Sequence, residues 1–286
     1  MVYFFSIILI IKFLFDQSES HPIVEDIGVH YLIFKNNLLS FDANDASCLS
    51  NKPVIIFVHG FRSSPETWRF ADIYNVLLNK MDVNVILVDW SDVWSKKLSY
   101  KYAVSQSHDL IDLLANFINV LGPHGILKNL NDVTLVGHSL GAHVVGNVGR
   151  KLNGEVKRII ALDPARPSFE SDSINERVNI NSGKFVIVIH TSTKFFGLKE
   201  PLGHVDIYFN GGLLQPACNY EPICSHSKAI EYLINSINNS SAYTAFKCDT
   251  LENCEQMIIN NDEESIKMNM NIPVSTRGLY LVVTQN

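Results

Sequence analysis

The stretch of this 286-residue chain that most restricts its fold runs from Val133 to Leu152. It opens as a short apolar run, Val133 to Val136, and passes through Gly137-His138-Ser139-Leu140-Gly141. From Ala142 to Leu152 it continues as small and aliphatic residues at helical spacing. A strand must therefore turn directly into a helix around a serine with glycines two positions on either side. Such glycines let neighbouring segments pass closely, while the serine is forced into strained backbone geometry with its hydroxyl held clear of the sheet. The helix then aims its N-terminal amides and dipole at negative charge developing beside that hydroxyl. A bare G-x-S-x-G pattern arises by chance in many chains. The strand before it and the helix after it make this one specific.

The same alternation recurs along the chain. Pro53 to Val58, Val83 to Val88, Val156 to Leu162 and Phe185 to Ile189 read as strands, and Gly278 to Val283 as a last strand closing the domain. Tyr102 to Leu121 and Ser227 to Ile237 read as helices. Strands alternating with crossover helices imply an α/β fold: one domain with a mostly parallel central sheet and helices on both faces. Val2 to Phe15 is almost wholly aliphatic or aromatic, yet shorter than the ~20 apolar residues of a membrane span. The polar Asp16-Gln17-Ser18-Glu19-Ser20 follows it. Residues 1–20 therefore read as a secretory leader cleaved near Ser18 to Ser20, and 21–286 as a single catalytic domain.

The formal net charge is −6, and no block of Lys or Arg occurs. Nucleic-acid binding has no electrostatic footprint here, and a polybasic membrane anchor is likewise excluded, so contact with lipid has to be mainly apolar. Cys218 with Cys224, and Cys248 with Cys254, lie close in sequence, as short disulfide loops would. Their spacing is not C-x-x-C and no His pair accompanies them, which leaves zinc a weak reading. Cys48 is left over, free or bonded to another chain. Asn238 and Asn239 each begin an N-x-S sequon, which suits a glycosylated surface.

A serine hydroxyl needs a base to act as a nucleophile, and the base needs an orienting acid; in this arrangement the chain order is Ser, acid, His. Asp163 ends the next strand, in Leu162-Asp163-Pro164, at the carboxyl end where open α/β sheets place sites. Asp206, in Gly203-His204-Val205-Asp206, competes with it, one strand later. Of the histidines, His59 and His138 come too early. His190 and His204 sit in apolar runs that suit core residues. His226, after Cys224-Ser225 and at the opening of a helix, suits a base that must hold its angle. Two backbone amides are needed for an oxyanion: Leu140, after the serine, and Phe61, in the early turn His59-Gly60-Phe61.

These residues resemble the pancreatic-lipase superfamily of α/β hydrolases, and most closely its insect venom phospholipase A1 branch. The resemblance rests on His59-Gly60-Phe61, Val88-Asp89-Trp90, Gly137-His138-Ser139-Leu140-Gly141 and Leu162-Asp163-Pro164-Ala165. It continues through Val188-Ile189-His190-Thr191, Gly203-His204-Val205-Asp206, Asn210-Gly211-Gly212 and Cys224-Ser225-His226, in family order over roughly residues 50 to 285. The resemblance favours Asp163 over Asp206 as the acid, giving Ser139, Asp163 and His226 as the catalytic set. It maps the family's lid onto Cys218 to Cys224, too short for a helical flap, and an abbreviated lid goes with phospholipase A1 activity in the family. The C-terminal β-sandwich of the digestive lipases is expected to be missing, and the venom-type partner of Cys48 has no counterpart.

What the resemblance implies is a secreted, monomeric carboxylester hydrolase that releases the sn-1 fatty acid of phospholipids at a membrane or micelle surface. No metal, organic cofactor or obligate protein partner is expected. A triacylglycerol or galactolipid lipase is the alternative within the class, and a non-catalytic, yolk-like lipid-binding protein the alternative outside it. Phe195-Phe196-Gly197-Leu198, between Lys194 and Lys199, is either an apolar tip for the lipid surface or packing beneath its own loop.

Overall fold

The computed structural model describes residues 51–64, 70–91, 97–123, 127–170, 174–250, 252 and 264–284. It also describes the backbone of four short strands, β1 (Leu9–Lys12), β2 (His30–Lys35), β3 (Asn37–Leu38) and β4 (Phe41–Asp42). The strands that follow are β5 (Val54–Val58), β6 (Asn84–Asp89), β7 (Val133–His138), β8 (Arg158–Leu162) and β9 (Val186–His190). Then come β10 (Val205–Phe209), β11 (Thr244–Cys248), β12 (Ser265–Lys267) and β13 (Gly278–Val282). The helices are α1 (Phe70–Lys80), α2 (Tyr100–Leu121), α3 (Leu140–Lys151) and α4 (Pro222–Asn238).

Strand order across the sheet is β12-β11-β13-β10-β9-β8-β7-β5-β6-β2-β1-β4, with β3 paired to β2. From β13 to β6 every pairing is parallel. The strands there are mostly buried on both faces, which is why β5 (VIIFV) and β9 (VIVIH) read as near-continuous apolar runs rather than as alternating ones. Their side chains nonetheless divide by parity. Val54, Ile56, Val58, Leu135, Ile159 and Ala161 face a core shared with α2 and α3. Ile55, Phe57, Val136, Ile160 and Leu162 face a second core shared with α1 and α4. The expected α/β sheet covered on both faces is the observed one. β5 lies between β6 and β7, so the chain reverses its direction of travel across the sheet at β5, and the crevice at the carboxyl ends of β5 and β7 is the switch point where ligands bind in such sheets.

Three readings of the sequence need correction. β13 is the last strand along the chain, as expected, and in the sheet it lies between β10 and the antiparallel β11, two strands that the sequence reading lacks, like β12 beyond them. β11 and β12 are short and partly exposed, and so carry too few apolar residues to announce themselves. α1 is absent from the sequence reading, although Ile73 and Leu77 form an i, i+4 pair with no exposed surface. α4 begins at Pro222, not at Ser227. Proline at N1 is preorganised for a helix start, and the Glu221 side chain accepts from the Ile223 and Cys224 amides. Of the leader, only the backbone of Leu9–Lys12, a strand beside β2, falls within the described residues. Among the described residues, no helix is long and apolar enough to cross a membrane.

Candidate active site

Ser139 joins β7 to α3 with φ 56° and ψ −120°, a conformation uncommon for a residue with a side chain. Close packing enforces it. A Cβ on Gly141 would stand 2.3 Å from the Val58 carbonyl oxygen, and one on Gly137 2.2 Å from that of Gly141. Neither position accepts anything larger than glycine. The Ser139 amide donates to Leu162 O at 2.9 Å and its carbonyl accepts from Ala165 N at 3.2 Å. The serine is thus tied to both ends of the segment that carries Asp163.

Asp163 is fully buried and also has positive φ, 42°. Its Oδ1 accepts from the amides of Thr191 and Ser192 at 2.7 and 3.0 Å. Its Oδ2 accepts from His226 Nδ1 at 2.5 Å. A carboxylate can only accept, so the Nδ1–H tautomer is required and Nε2 keeps its lone pair for a proton acceptor's role. Asp206, the competing acid, is engaged elsewhere. It meets His190 Nε2 at 3.0 Å and accepts from the Leu202 and Gly203 amides. His190 is itself buried, stacked on Tyr208 at 4.1 Å between ring centres.

His226 lies on the second turn of α4, one turn inside the helix that the sequence reading has it open. Two neighbours fix it. His138 Nε2–H donates to the His226 carbonyl at 3.0 Å, with the rings 4.6 Å apart. Burial and the adjacent His226 push the His138 imidazole down to about 3, so it is neutral at physiological pH. On the other side, the Phe196 ring stands 5.4 Å from the His226 ring. Among the described residues the Ser139 hydroxyl makes no hydrogen bond, and in unliganded hydrolases this link is often long and tightens on binding. His138, one peptide bond from Ser139, touches His226, so hydroxyl, imidazole and carboxylate share one edge of the sheet.

The turn after β5 lies against the serine. A Cβ on Gly60 would be 2.8 Å from Ser139 Cβ and 3.3 Å from its Oγ. The turn is held by Trp90, whose indole N–H donates to His59 O at 2.9 Å and whose amide donates to His59 Nε2 at 3.2 Å. Phe61 packs edge-on against Tyr100 at 5.4 Å. Leu140 is the first residue of α3, where the helical ladder leaves amides unused. Both proposed oxyanion donors therefore belong to segments flanking Ser139.

Two residues before His226, Cys224 is bonded to Cys218. Cys248 is also disulfide-bonded, while Cys254 and Cys48 lie outside the described residues. The apolar tip divides: Phe195 is 41% exposed, Phe196 leans on His226, and Leu198 is in the core. Reasoning from the sequence does not identify His138 or Phe196 as supports of the imidazole. Their neighbourhood with His226 is created by folding, and no spacing rule reports it.

The parallel sheet with its glycine-flanked serine turn makes this chain an α/β hydrolase. A family model described as Lipase matches residues 29–259. Lipase member H from Xenopus tropicalis is 36% identical over 261 residues, 82% of this chain and 56% of the relative. The Oryctolagus cuniculus protein of the same name is 34% identical over 209 residues, 70% of this chain and 45% of the relative. Phospholipase A1 2 from Dolichovespula maculata is 36% identical over 205 residues, 67% of each chain. The chain belongs to the lipase family, and it spans about half the length of the lipase H relatives it matches.

Proposed function

We propose that the chain is a secreted phospholipase A1 that cleaves the sn-1 ester of phospholipids through Ser139, His226 and Asp163. One observation carries the hydrolytic reading: the 2.5 Å bond from His226 Nδ1 to a buried Asp163, formed at the strand ends beside a strained serine. In this reading His226 Nε2 takes the Ser139 proton as Oγ attacks the ester carbonyl carbon. The imidazolium is stabilised by Asp163, and the oxyanion by the Phe61 and Leu140 amides, a contribution of roughly 3 kcal/mol per donor in related chemistry. Collapse expels the lysophospholipid alkoxide, which takes its proton from His226. Water, deprotonated by the same imidazole, then releases the fatty acid from the acyl-serine.

Phospholipid is favoured by the short disulfide loop that precedes His226. A disulfide joins residues only six apart, and helix α4 starts inside that loop at Pro222, so this loop is too short to carry a helical flap of its own. Likeness to a phospholipase A1 adds support. Secretion is supported by the apolar leader pattern and by a structural disulfide, which persists in oxidising compartments.

The test is product analysis on phosphatidylcholine with distinguishable acyl chains, alongside Ser139→Ala. Release of the sn-1 chain alone, lost in Ser139→Ala together with fluorophosphonate labelling, is expected. Preference for triacylglycerol over phosphatidylcholine would remove the phospholipase assignment. Labelling that survives in Ser139→Ala would show that another serine is the nucleophile.

A further inference from the structure

Gln215 is fully buried, on the segment between β10 and the disulfide loop. Its side-chain amide uses every hydrogen bond it can make. Nε2 donates to Thr191 O at 3.0 Å and Phe209 O at 2.9 Å, and Oε1 accepts from Asn210 Nδ2 at 2.8 Å and Tyr232 OH at 2.9 Å. Its backbone N–H donates to the hydroxyl of Ser225 at 2.9 Å, and Ser225 has no exposed surface either. A buried amide contributes less to packing than an aliphatic side chain of its volume, and it is tolerated only when every group is paired. Packing alone does not ask for a glutamine here.

Two of these contacts lead to the Asp163–His226 pair. Thr191, whose carbonyl accepts from Gln215, gives its own amide to Asp163 Oδ1 at 2.7 Å. The Thr191 hydroxyl is buried without a partner, so the link passes through the backbone. Ser225 is bonded covalently to His226, which closes on Asp163 Oδ2 at 2.5 Å. Followed in order, the path runs from Asp163 to Thr191, Gln215, Ser225 and His226, and returns to Asp163. A second strut crosses the same gap, from Ser192 Oγ to Pro222 O at 3.2 Å.

We propose that Gln215 is a positioning residue for ester hydrolysis, the brace of a closed, buried ring that fixes the distance and angle between the His226 imidazole and the Asp163 carboxylate. This rests on the hydrolase reading of the site. Asp163 is supplied from the end of β8, its amide donors from the end of β9, and His226 from α4. Near the pair, this ring and the Ser192–Pro222 strut join the amide donors to the start of the helix, while the Tyr232 hydroxyl ties Gln215 to the same helix farther along. Errors on the order of 1 Å at a reacting group cost roughly a hundredfold in rate, so a residue that locks three separate segments acts on turnover without touching substrate.

The experiment compares Gln215→Met and Ser225→Ala, which open the ring, with Tyr232→Phe, which removes a bond to Gln215 outside it. Three quantities are measured: Tm, kcat and KM on a soluble short-chain ester, and the strongly deshielded proton NMR signal of His226 Nδ1–H. Opening the ring lowers kcat roughly 10–100-fold with KM within about twofold, and shifts or broadens the deshielded signal. Tyr232→Phe lowers Tm while leaving kcat and the signal as in the wild type. Loss of Tm in Gln215→Met with kcat and signal unchanged would overturn the proposal, reducing the ring to packing. If Gln215→Met does not fold, Ser225→Ala decides between the two outcomes by the same readings. A wild-type protein that shows the signal but hydrolyses no ester would refute the proposed function instead. The ring would then stand or fall on whether that signal changes in the two variants.

Discussion

Asp163 is the most constrained side chain of the site. Its carboxylate is confined on one side by the Thr191 and Ser192 amides and on another by Gly197, where an added Cβ would stand 2.5 Å from Oδ1. Gly197→Ala is therefore expected to displace the acid and lower kcat by roughly 10–100-fold, with a smaller change in KM, as steady-state kinetics would show. Asp163→Asn keeps the shape but can donate to Nδ1, which favours the wrong imidazole tautomer, and a drop in kcat of about 10⁴ is expected. Turnover close to wild type in Asp163→Asn would mean that another acid orients the base. Ser139 is legible in the sequence because a strand-to-helix turn between glycines marks it, whereas Asp163 competes with Asp206 on the residues and is favoured by the resemblance alone. The Gly197 contact is not legible, since a glycine in a Phe-rich loop gives no sign of which side chain will press against it.

At the scale of elements, the disulfide loop and α4 form one unit. The helix starts at Pro222, so Cys224 is already helical, and the disulfide ties the first turn back to the Pro216–Cys218 turn. Closing so short a loop limits the unfolded chain only modestly, about 2 kcal/mol on the chain-entropy account. Cys218→Ser with Cys224→Ser should lose about that much in urea unfolding. Because His226 is also held by His138 and Asp163, the folded fraction should keep most of its turnover. Loss of turnover without loss of stability would show instead that the disulfide orients the base directly. The cysteine pairing can be read from the sequence, and so could the helix start, from Glu221-Pro222. β11 and β12 cannot, because short, partly exposed strands near the margin of a sheet carry little periodic signal.

For the whole molecule, buried imidazoles govern the response to acid. His138 and His143 are both pushed down to about 3, chiefly by burial. His143 stacks on Phe169 at 3.8 Å, and its Nε2–H donates to Ala165 O at 2.7 Å, which pins α3 to the segment after Asp163. In the unfolded chain a histidine takes up its proton near its ordinary value, about 6.5. Below that pH the unfolded state binds protons that the native state refuses, so stability falls with pH from about 6.5 down to about 3. Tm should decline on acidification across this window, and His143→Gln should decline less steeply, although its Tm at neutral pH is lower. An equal decline in both proteins would assign the acid response to other groups.

The sequence by itself determined the class of fold, the serine turn and the identity of the chemical groups, because each of these follows from local rules: runs of β-branched residues, helical spacing, and glycines that only a tight turn requires. The resemblance pairs His226 with Asp163, but local rules leave the pairing open, and it is the folded sheet that joins His226 to Asp163 and engages Asp206 with His190. It also places the His138 and Phe196 rings against the imidazole and Gln215 behind the neighbouring Ser225. The reason is physical. Partners brought together by parallel strands and their crossovers lie apart in the chain, 16 residues for His190 and Asp206 and 63 for Asp163 and His226, and their hydrogen bonds exist only once the sheet has set the register.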